Sequence, residues 1–343
     1  MIFRQLFDNV SSTYTYLIAS RAGGEALLID PVLEKTNHYL RLLEELDLKL
    51  VKVLDTHIHA DHVSAMGALR DHTNCVTVMG EQSSVDVVSM RVADEEKVTI
   101  EGFAMTAMYT PGHTDDSYCF RTDDRIFTGD TLLIRGTGRT DFQNGDPGRQ
   151  YDSLFNGVLT LPDNMLVYPA HDYKGDMVST LAEEKAFNPR LQVTSRDEYI
   201  DLMNNLKLAN PKMMDVAVPE NQRMGLGLDR QREVSCIDAE KLLGWADEEL
   251  LLVDLREDGE RAKDGVIPGS IHAPYSRLDL HLEMLSHAAG KRVVFYCAAG
   301  ERSAMAVNLA KGRGVDDCAH LPGGFGAWAM AGGKAESVTS SGN

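Results

Sequence analysis

Short apolar runs alternate with polar, helix-patterned stretches along this chain, and the alternation happens twice. Residues 12–19 and 26–29 read as strands, turned by Arg21-Ala22-Gly23-Gly24. Residues 35–46 carry Leu40, Leu42, Leu43 and Leu46 on a helical period. A strand is expected at 50–54 and a helix at 63–70, and strand and helix signals then alternate to about Asp176. From 181 to 208 the pattern is helical, interrupted at Asn188-Pro189, and 210–228 is rich in Pro, Met and Gly with no clear period. That aperiodic stretch predicts a domain boundary. Beyond it come a helix at 238–243, buried strands at 250–254 and 292–296, and a helix at 303–311. This spacing predicts a small α/β domain with a parallel sheet. Residues 334–343 are polar without apolar periodicity, and disorder is expected there.

Length supports the division, because 343 residues exceed what one hydrophobic core usually serves. Apolar content of 43% and charged content of 25% are those of an ordinary soluble globular protein. The net charge of −18 argues against nucleic acid and against anionic membrane surfaces as partners. No apolar run approaches the roughly 18 residues of a spanning helix. Residues 1–9 resemble neither a signal peptide nor a transit peptide. The five cysteines form no C-x-x-C pair and are odd in number, so free thiols in a reducing cytoplasm are expected.

The densest chemistry is Thr56-His57-Ile58-His59-Ala60-Asp61-His62, which sets three imidazoles and a carboxylate between a strand and a helix. One histidine there would be read as a cap or a core hydrogen bond. H-x-H-x-D-H points to a metal, with imidazole suiting zinc, iron, copper or nickel and the carboxylate leaning toward iron. His113 in Thr110-Pro111-Gly112-His113, Asp130 in Thr128-Gly129-Asp130 and His171 in Pro169-Ala170-His171 each follow a strand signal. Strand ends at one edge of a packed sheet can converge on one ion.

These four motifs, in this order, resemble the metallo-β-lactamase superfamily over roughly residues 1–225, which implies an αββα sandwich. Two branches are similar: glyoxalase II, a dinuclear thioester hydrolase, and persulfide dioxygenase, a mononuclear iron enzyme that oxidises glutathione persulfide to sulfite. Gly136-Thr137-Gly138-Arg139-Thr140-Asp141-Phe142-Gln143, His171-Asp172-Tyr173-Lys174-Gly175 and Asp215-Val216-Ala217-Val218-Pro219-Glu220-Asn221 resemble the dioxygenase. That resemblance implies one Fe(2+) per chain on His57, His113 and Asp130, an arrangement that leaves coordination positions open for substrate and dioxygen. His59, Asp61, His62 and His171 are then outer groups or a vacant second site. Arg139, Tyr173 and Lys174 are candidate contacts for the glutathione carboxylates, against the alternative of surface ion pairs or caps.

A second centre is Cys297-Ala298-Ala299-Gly300-Glu301-Arg302-Ser303, lying between a strand and a helix. Backbone N–H groups and the helix N-terminus favour a thiolate there, and the small residues let the loop curl around the sulfur. The setting resembles the rhodanese family over roughly residues 234–335, with Val253-Asp254-Leu255-Arg256, Ile267-Pro268-Gly269-Ser270-Ile271-His272-Ala273-Pro274 and Leu321-Pro322-Gly323-Gly324-Phe325 in support. The resemblance implies that Cys297 carries sulfur as a persulfide, with Arg302 meeting the donor's oxyanion. Glu301 is unexpected beside an anion-handling loop; it points to solvent or favours a less charged partner.

The expected organisation is therefore a dioxygenase domain (1–225), a linker (226–233), a rhodanese domain (234–335) and a polar tail (336–343). Expected small-molecule partners are glutathione persulfide, O2, thiosulfate and glutathione, and the oligomeric state is left open. Two rivals stay in view: a dinuclear zinc glutathione-thioester hydrolase with a rhodanese domain, and a non-catalytic persulfide sensor. His72, His272, His281, His287 and His320 are scattered and read as structural, Cys119 and Cys318 as packing, and the Met-rich stretch 203–214 as core filler.

Overall fold

The computed structural model describes all residues except 210–212, 245–249, 288–289 and 339–343. It divides into two compact units, Met1–Val85 with Met90–Met224, and Asp86–Ser89 with Gly225–Asn343.

In the larger unit, one sheet runs in the order β1 (Ile2–Asp8), β2 (Thr13–Ala19), β3 (Glu25–Ile29), β4 (Lys49–Leu54), β5 (Val76–Gly80), β6 (Met90–Val92). The second holds β7 (Lys97–Ile100), β8 (Phe103–Tyr109), β9 (Tyr118–Arg121), β10 (Arg125–Gly129), β11 (Leu166–Pro169) and β12 (Ser179–Thr180), again neighbour to neighbour. Both are mixed: β3 to β6 pair in parallel, as do β10 and β11, while the hairpin partners are antiparallel. Every residue of β2 is buried, as a strand covered on both faces must be. The sheets meet through Phe3, Tyr16, Phe127 and Tyr168, with Tyr16 and Phe127 ring centroids 5.0 Å apart and the Tyr16 hydroxyl donating to the Pro169 carbonyl at 2.6 Å. Helices α1 (Thr36–Glu45) and α2 (Met66–Thr73) cover the first sheet. Helices α3 (Pro147–Phe155), α4 (Leu181–Phe187) and α5 (Arg196–Asn204) cover the second, where Leu154, Leu181 and Tyr199 pack on Cys119, Ile126 and Val167. The result is an αββα sandwich.

Two local readings needed correction. The helix after the histidine loop begins at Met66, not at Val63, because Val63 and Ser64 are held in extended pairing with Leu33 and Val32. The aperiodic stretch contains α6 (Met214–Gln222), and the expected linker contains α7 (Leu228–Arg232). Helix α6 buries only Ala217 and Asn221, one turn apart, so no apolar stripe betrays it. The Met-rich stretch is mixed, with Met203 in the core and Met213 exposed.

The smaller unit contains α8 (Ala239–Leu243), β13 (Leu250–Asp254), α9 (Asp258–Asp264), β14 (Ile271–His272), α10 (Leu278–Ser286), β15 (Arg292–Tyr296), α11 (Glu301–Lys311), β16 (Cys318–His320) and α12 (Gly324–Met330). Its sheet order is β14-β13-β15-β16, parallel throughout. Val293 and Phe295 face one apolar cluster, and Val294 and Tyr296 face the other, which is why β15 reads as an unbroken apolar run. The tail begins later than its polarity suggests. Glu336 exchanges backbone hydrogen bonds with Val266, and the Trp328 indole donates to the Lys334 carbonyl at 2.9 Å. Residues 339–343 lie outside those described. No helix among the described residues is long and apolar enough to cross a membrane.

Candidate functional site

The loops that follow β4, β8, β10 and β11 meet at one end of the sandwich. There His57, His113 and Asp130 bring one ligand atom each within 4.8 Å of one another. His113 Nδ1 lies 2.7 Å from the Arg139 carbonyl, which can only accept, so that nitrogen carries the proton and Nε2 offers its lone pair inward. His57 Nδ1 is similarly occupied by the Thr56 hydroxyl at 3.0 Å. Close packing fixes this arrangement: a Cβ on Gly138 would sit 2.2 Å from the Asp130 carbonyl oxygen and 2.7 Å from the His113 ring. Burial pushes the His57 imidazole well below its ordinary pKa, with His59 and His113 adding to the effect. Burial opposes ionisation of Asp130, but His171, His113 and His57 outweigh it and hold the carboxyl far below its usual range. Two ring nitrogens with fixed tautomers and an ionised oxygen, all facing one point, fit a divalent transition metal.

His59, Asp61, His62 and His171 form a second cluster within 4.8 Å. Its members are largely committed to each other. His171 places Nδ1 2.6 Å from Asp130 and Nε2 2.8 Å from Asp61, which also meets His62 Nδ1 at 3.0 Å. Burial disfavours the charged His171 ring, but Asp130 and Asp61 raise its pKa well above the ordinary value. His59 is anchored through Nε2 to Asp30 at 3.1 Å. His59 Nδ1 and His62 Nε2 are buried with no hydrogen-bond partner.

The mouth of the site is a cavity of about 270 Å³ lined by His57, His113 and Asp130 at the base and by Phe142, Tyr173 and Arg190 among others higher up. Arg139 also lines it, yet its guanidinium is paired with Asp141 through two contacts of 2.6 Å and stacks over Phe142 at 4.6 Å. Tyr173 is 72% exposed and lies parallel to the His171 ring, centroids 6.2 Å apart. Lys174 is exposed at the rim.

In the smaller unit, Cys297 ends β15 under a loop that leads into α11. The Gly300 N–H donates to its sulfur at 3.1 Å, and the Ser303 hydroxyl lies 3.8 Å away. Gly300 has φ of 90°, and a Cβ there would come within 2.1 Å of the Gln231 side chain. The Cys297 and Ala298 carbonyls accept from Phe325 and Gly326, so the loop's backbone is braced from behind.

The family model of the metallo-beta-lactamase superfamily matches residues 8–85 and 80–171, and that of the rhodanese-like domain matches residues 238–331. A Mus musculus protein named persulfide dioxygenase ETHE1, mitochondrial, is 43% identical over 229 residues, covering 66% of this chain and 89% of that protein. The chain belongs to the persulfide dioxygenase family. The crystal structure of ETHE1 from Myxococcus xanthus is 51% identical, covers 65% of this chain and 98% of that one, and superposes with a TM-score of 0.63. A Staphylococcus aureus metallo-beta-lactamase structure, 22% identical with a TM-score of 0.61, covers 94% of this chain and 98% of its own, and shares the fold alone. In this chain the persulfide dioxygenase module is fused to a rhodanese-like domain.

Within the persulfide dioxygenase module, sequence reasoning missed the residues that shape the histidine loop. Asn221, fully buried on α6, accepts from Ser64 N–H at 2.8 Å and donates to the His59 and His62 carbonyls at 2.9 Å each. Asp30 accepts from the Thr56 N–H at 2.7 Å and from its hydroxyl at 3.0 Å, besides meeting His59. Asp30 lies in no motif; Asn221 closes the 215–221 segment that resembles the dioxygenase, but nothing in the sequence gives its side chain a role. Arg190, another cation of the cavity, donates to Thr137 Oγ1 at 3.2 Å.

In the rhodanese-like domain Arg302 is 1% exposed and grips Glu260 through contacts of 2.7 and 2.5 Å, close enough to Cys297 to interact with it electrostatically. Glu301 does not point to solvent; it is fully buried and accepts from the Leu226 N–H at 2.9 Å. His272, read as structural, bonds the Arg256 carbonyl at 2.9 Å.

Proposed function

We propose that the larger unit oxidises glutathione persulfide with O2 at one Fe(2+) held by His57, His113 and Asp130. We further propose that the smaller unit moves sulfur between thiosulfate and glutathione through a persulfide on Cys297. The first reaction balances as persulfide, O2 and water giving sulfite, glutathione and two protons. The observation that carries this reading is the division of donors in a chain of this family. His57, His113 and Asp130 bring one donor each to a common point on the cavity, whereas His171, which also lines it, has both ring nitrogens engaged by carboxylates. Ferrous iron held by these three residues would supply the redox chemistry toward dioxygen that zinc lacks.

The chain's own residues do the rest. Asp130 holds negative charge at neutral pH, and His57 is held neutral, so both are in their ligating forms. Leu133, Ile134 and Phe142 line the cavity with apolar surface and limit water around the reacting sulfur. Lys174 and Arg190 set positive charge at the cavity, suited to the carboxylates of glutathione; Arg139 contributes only if it exchanges Asp141 for substrate. Tyr173, stacked on His171 and exposed, offers a ring face and a hydroxyl to the peptide portion.

The two activities share glutathione persulfide, and the same residues serve either direction of sulfur flow. A dinuclear zinc hydrolase remains the specific rival, because His59 Nδ1 and His62 Nε2 are buried without partners and could meet a second ion. Anaerobic purification, metal quantitation and an oxygen-electrode assay with glutathione persulfide decide between them. About one iron per chain with oxygen uptake and sulfite release is expected; two zincs with thioester cleavage would favour the hydrolase. For the smaller unit, Cys297→Ser abolishes sulfur transfer from thiosulfate, and undiminished transfer would end that assignment and leave a sensor.

A further inference from the structure

Cys297 is tied to a buried histidine. The Ser303 hydroxyl, on the first turn of α11, lies 3.8 Å from the cysteine sulfur and 3.2 Å from His320 Nδ1 on β16. His320 Nε2 lies 2.9 Å from the Gln231 carbonyl. A carbonyl oxygen only accepts, so Nε2 keeps the ring proton and Nδ1 presents its lone pair to Ser303. Cys297, Ser303, His320 and Gln231 are each fully buried. A histidine bonded to backbone on one side is usually a satisfied core residue. Here the other side addresses a hydroxyl that also meets the nucleophile's sulfur.

We propose that Ser303 and His320 form a proton relay that takes the Cys297 thiol proton and so generates the attacking thiolate. The inference deepens the sulfur-transfer reading and rests on it. In the step, the thiol proton passes to Ser303 Oγ while the serine's own proton passes to His320 Nδ1; no electrons change hands and no heavy-atom bond forms. The thiolate is then met by the Gly300 N–H and the Ser303 hydroxyl, and the imidazolium finds acceptors in Ser303 Oγ and the Gln231 carbonyl. Attack on thiosulfate forms the bond from Cys297 to the sulfane sulfur, and the donor's S–S bond breaks with its electron pair leaving on sulfite. When glutathione thiolate removes that sulfur, Cys297 departs as thiolate and recovers its proton from His320 through Ser303. At rest the serine has a second acceptor, the Gly300 carbonyl at 3.0 Å.

His320 itself touches no reacting atom and is a positioning residue acting through Ser303. Burial pushes its pKa below the ordinary value, against the backbone contacts, so the ring is neutral and able to accept. The ionisable groups on the elements packed around it are Glu301, Arg302 and Lys311 on α11, Arg292 and Tyr296 on β15, Asp229, Arg230 and Arg232 on α7, and the thiols Cys236, Cys297 and Cys318. Arg302 is paired with Glu260, Arg292 with Asp317 and Arg232 with Asp238, and Glu301 accepts from backbone. His320 is therefore the neutral base nearest the hydroxyl.

The test uses the full metal-loaded chain with Ser303→Ala and His320→Gln. Two quantities are followed from about pH 6 to 9: kcat/KM for transfer from thiosulfate to glutathione, and the peptide-resolved rate of Cys297 alkylation by iodoacetamide. The relay predicts a loss of roughly tenfold or more in kcat/KM near pH 7 for both variants. That loss should shrink as pH rises and hydroxide replaces the relay, with the alkylation profile displaced in the same direction. A merely structural role lowers activity by one factor at every pH and leaves the alkylation profile where it was; that result in Ser303→Ala overturns the proposal, even if His320→Gln does not fold. Should wild type transfer no sulfur, the sulfur-transfer reading fails on its own, and the alkylation profiles still decide whether the relay exists.

Discussion

A metal ligand and the residue that aims it behave differently when removed. His113→Ala deletes one of the three inward donors, so bound iron falls to near zero in metal analysis and oxygen uptake disappears. The fold persists, because the ring's other bond, to the Arg139 carbonyl, is a neutral one worth about 1 kcal/mol. Gly138→Ala touches no ligand atom directly, yet its added carbon meets the Asp130 backbone and the His113 ring at impossible distances. Loss of iron in Gly138→Ala equal to that in His113→Ala, read by the same metal analysis, is the expected outcome; full iron content would show that the 136–143 loop can yield. The histidines and Asp130 were legible in sequence because they crowd into short motifs at strand ends. The pairing of Arg302 with Glu260 was not legible, because Glu260 comes from an element 42 residues earlier that only packing brings near.

Elements matter here as carriers of loops. Helix α6 has no apolar stripe and lies in the stretch read as aperiodic, but it delivers Asn221 to three backbone groups of the histidine loop. Asn221→Ala leaves the Ser64 N–H and two carbonyls without partners in a buried setting. It should cost about 2 kcal/mol or more of stability, visible as a lower denaturant midpoint at constant m-value. Metal affinity should weaken by roughly ten- to a hundredfold, as for other groups that orient ligands from behind. A midpoint and affinity equal to wild type would mean that Asp30 alone holds the loop. Strand identities were read correctly where burial on both faces makes the run continuous, as in β13 and β15. Helix starts were read less well, since the backbone of Val63 and Ser64 answers to Leu33, Val32 and Asn221 across the fold.

For the molecule as a whole, metal stabilises only the unit that holds it. A ligand at a thousandfold its Kd adds about 4 kcal/mol to the folded state. Anaerobic chelation should therefore speed hydrogen exchange in peptides spanning 55–65 and 110–114, where the loops lose the ion that ties them together. Peptides from β13 and β15, in the other unit, should keep their protection. Equal acceleration in both would contradict the division into two compact units.

Residue type and order along the chain were enough to specify two α/β modules, a histidine-carboxylate centre and a cysteine loop between a strand and a helix, because periodicity and dense motifs are local properties. Tertiary structure alone decided which nitrogen of His113 faces inward, that His171 is spent on Asp130 and Asp61, that Arg302 is spent on Glu260, and that His320 stands behind Ser303. Those are questions of which lone pair meets which donor. Their answers depend on distances set by packing between segments far apart in sequence, where no periodicity reaches.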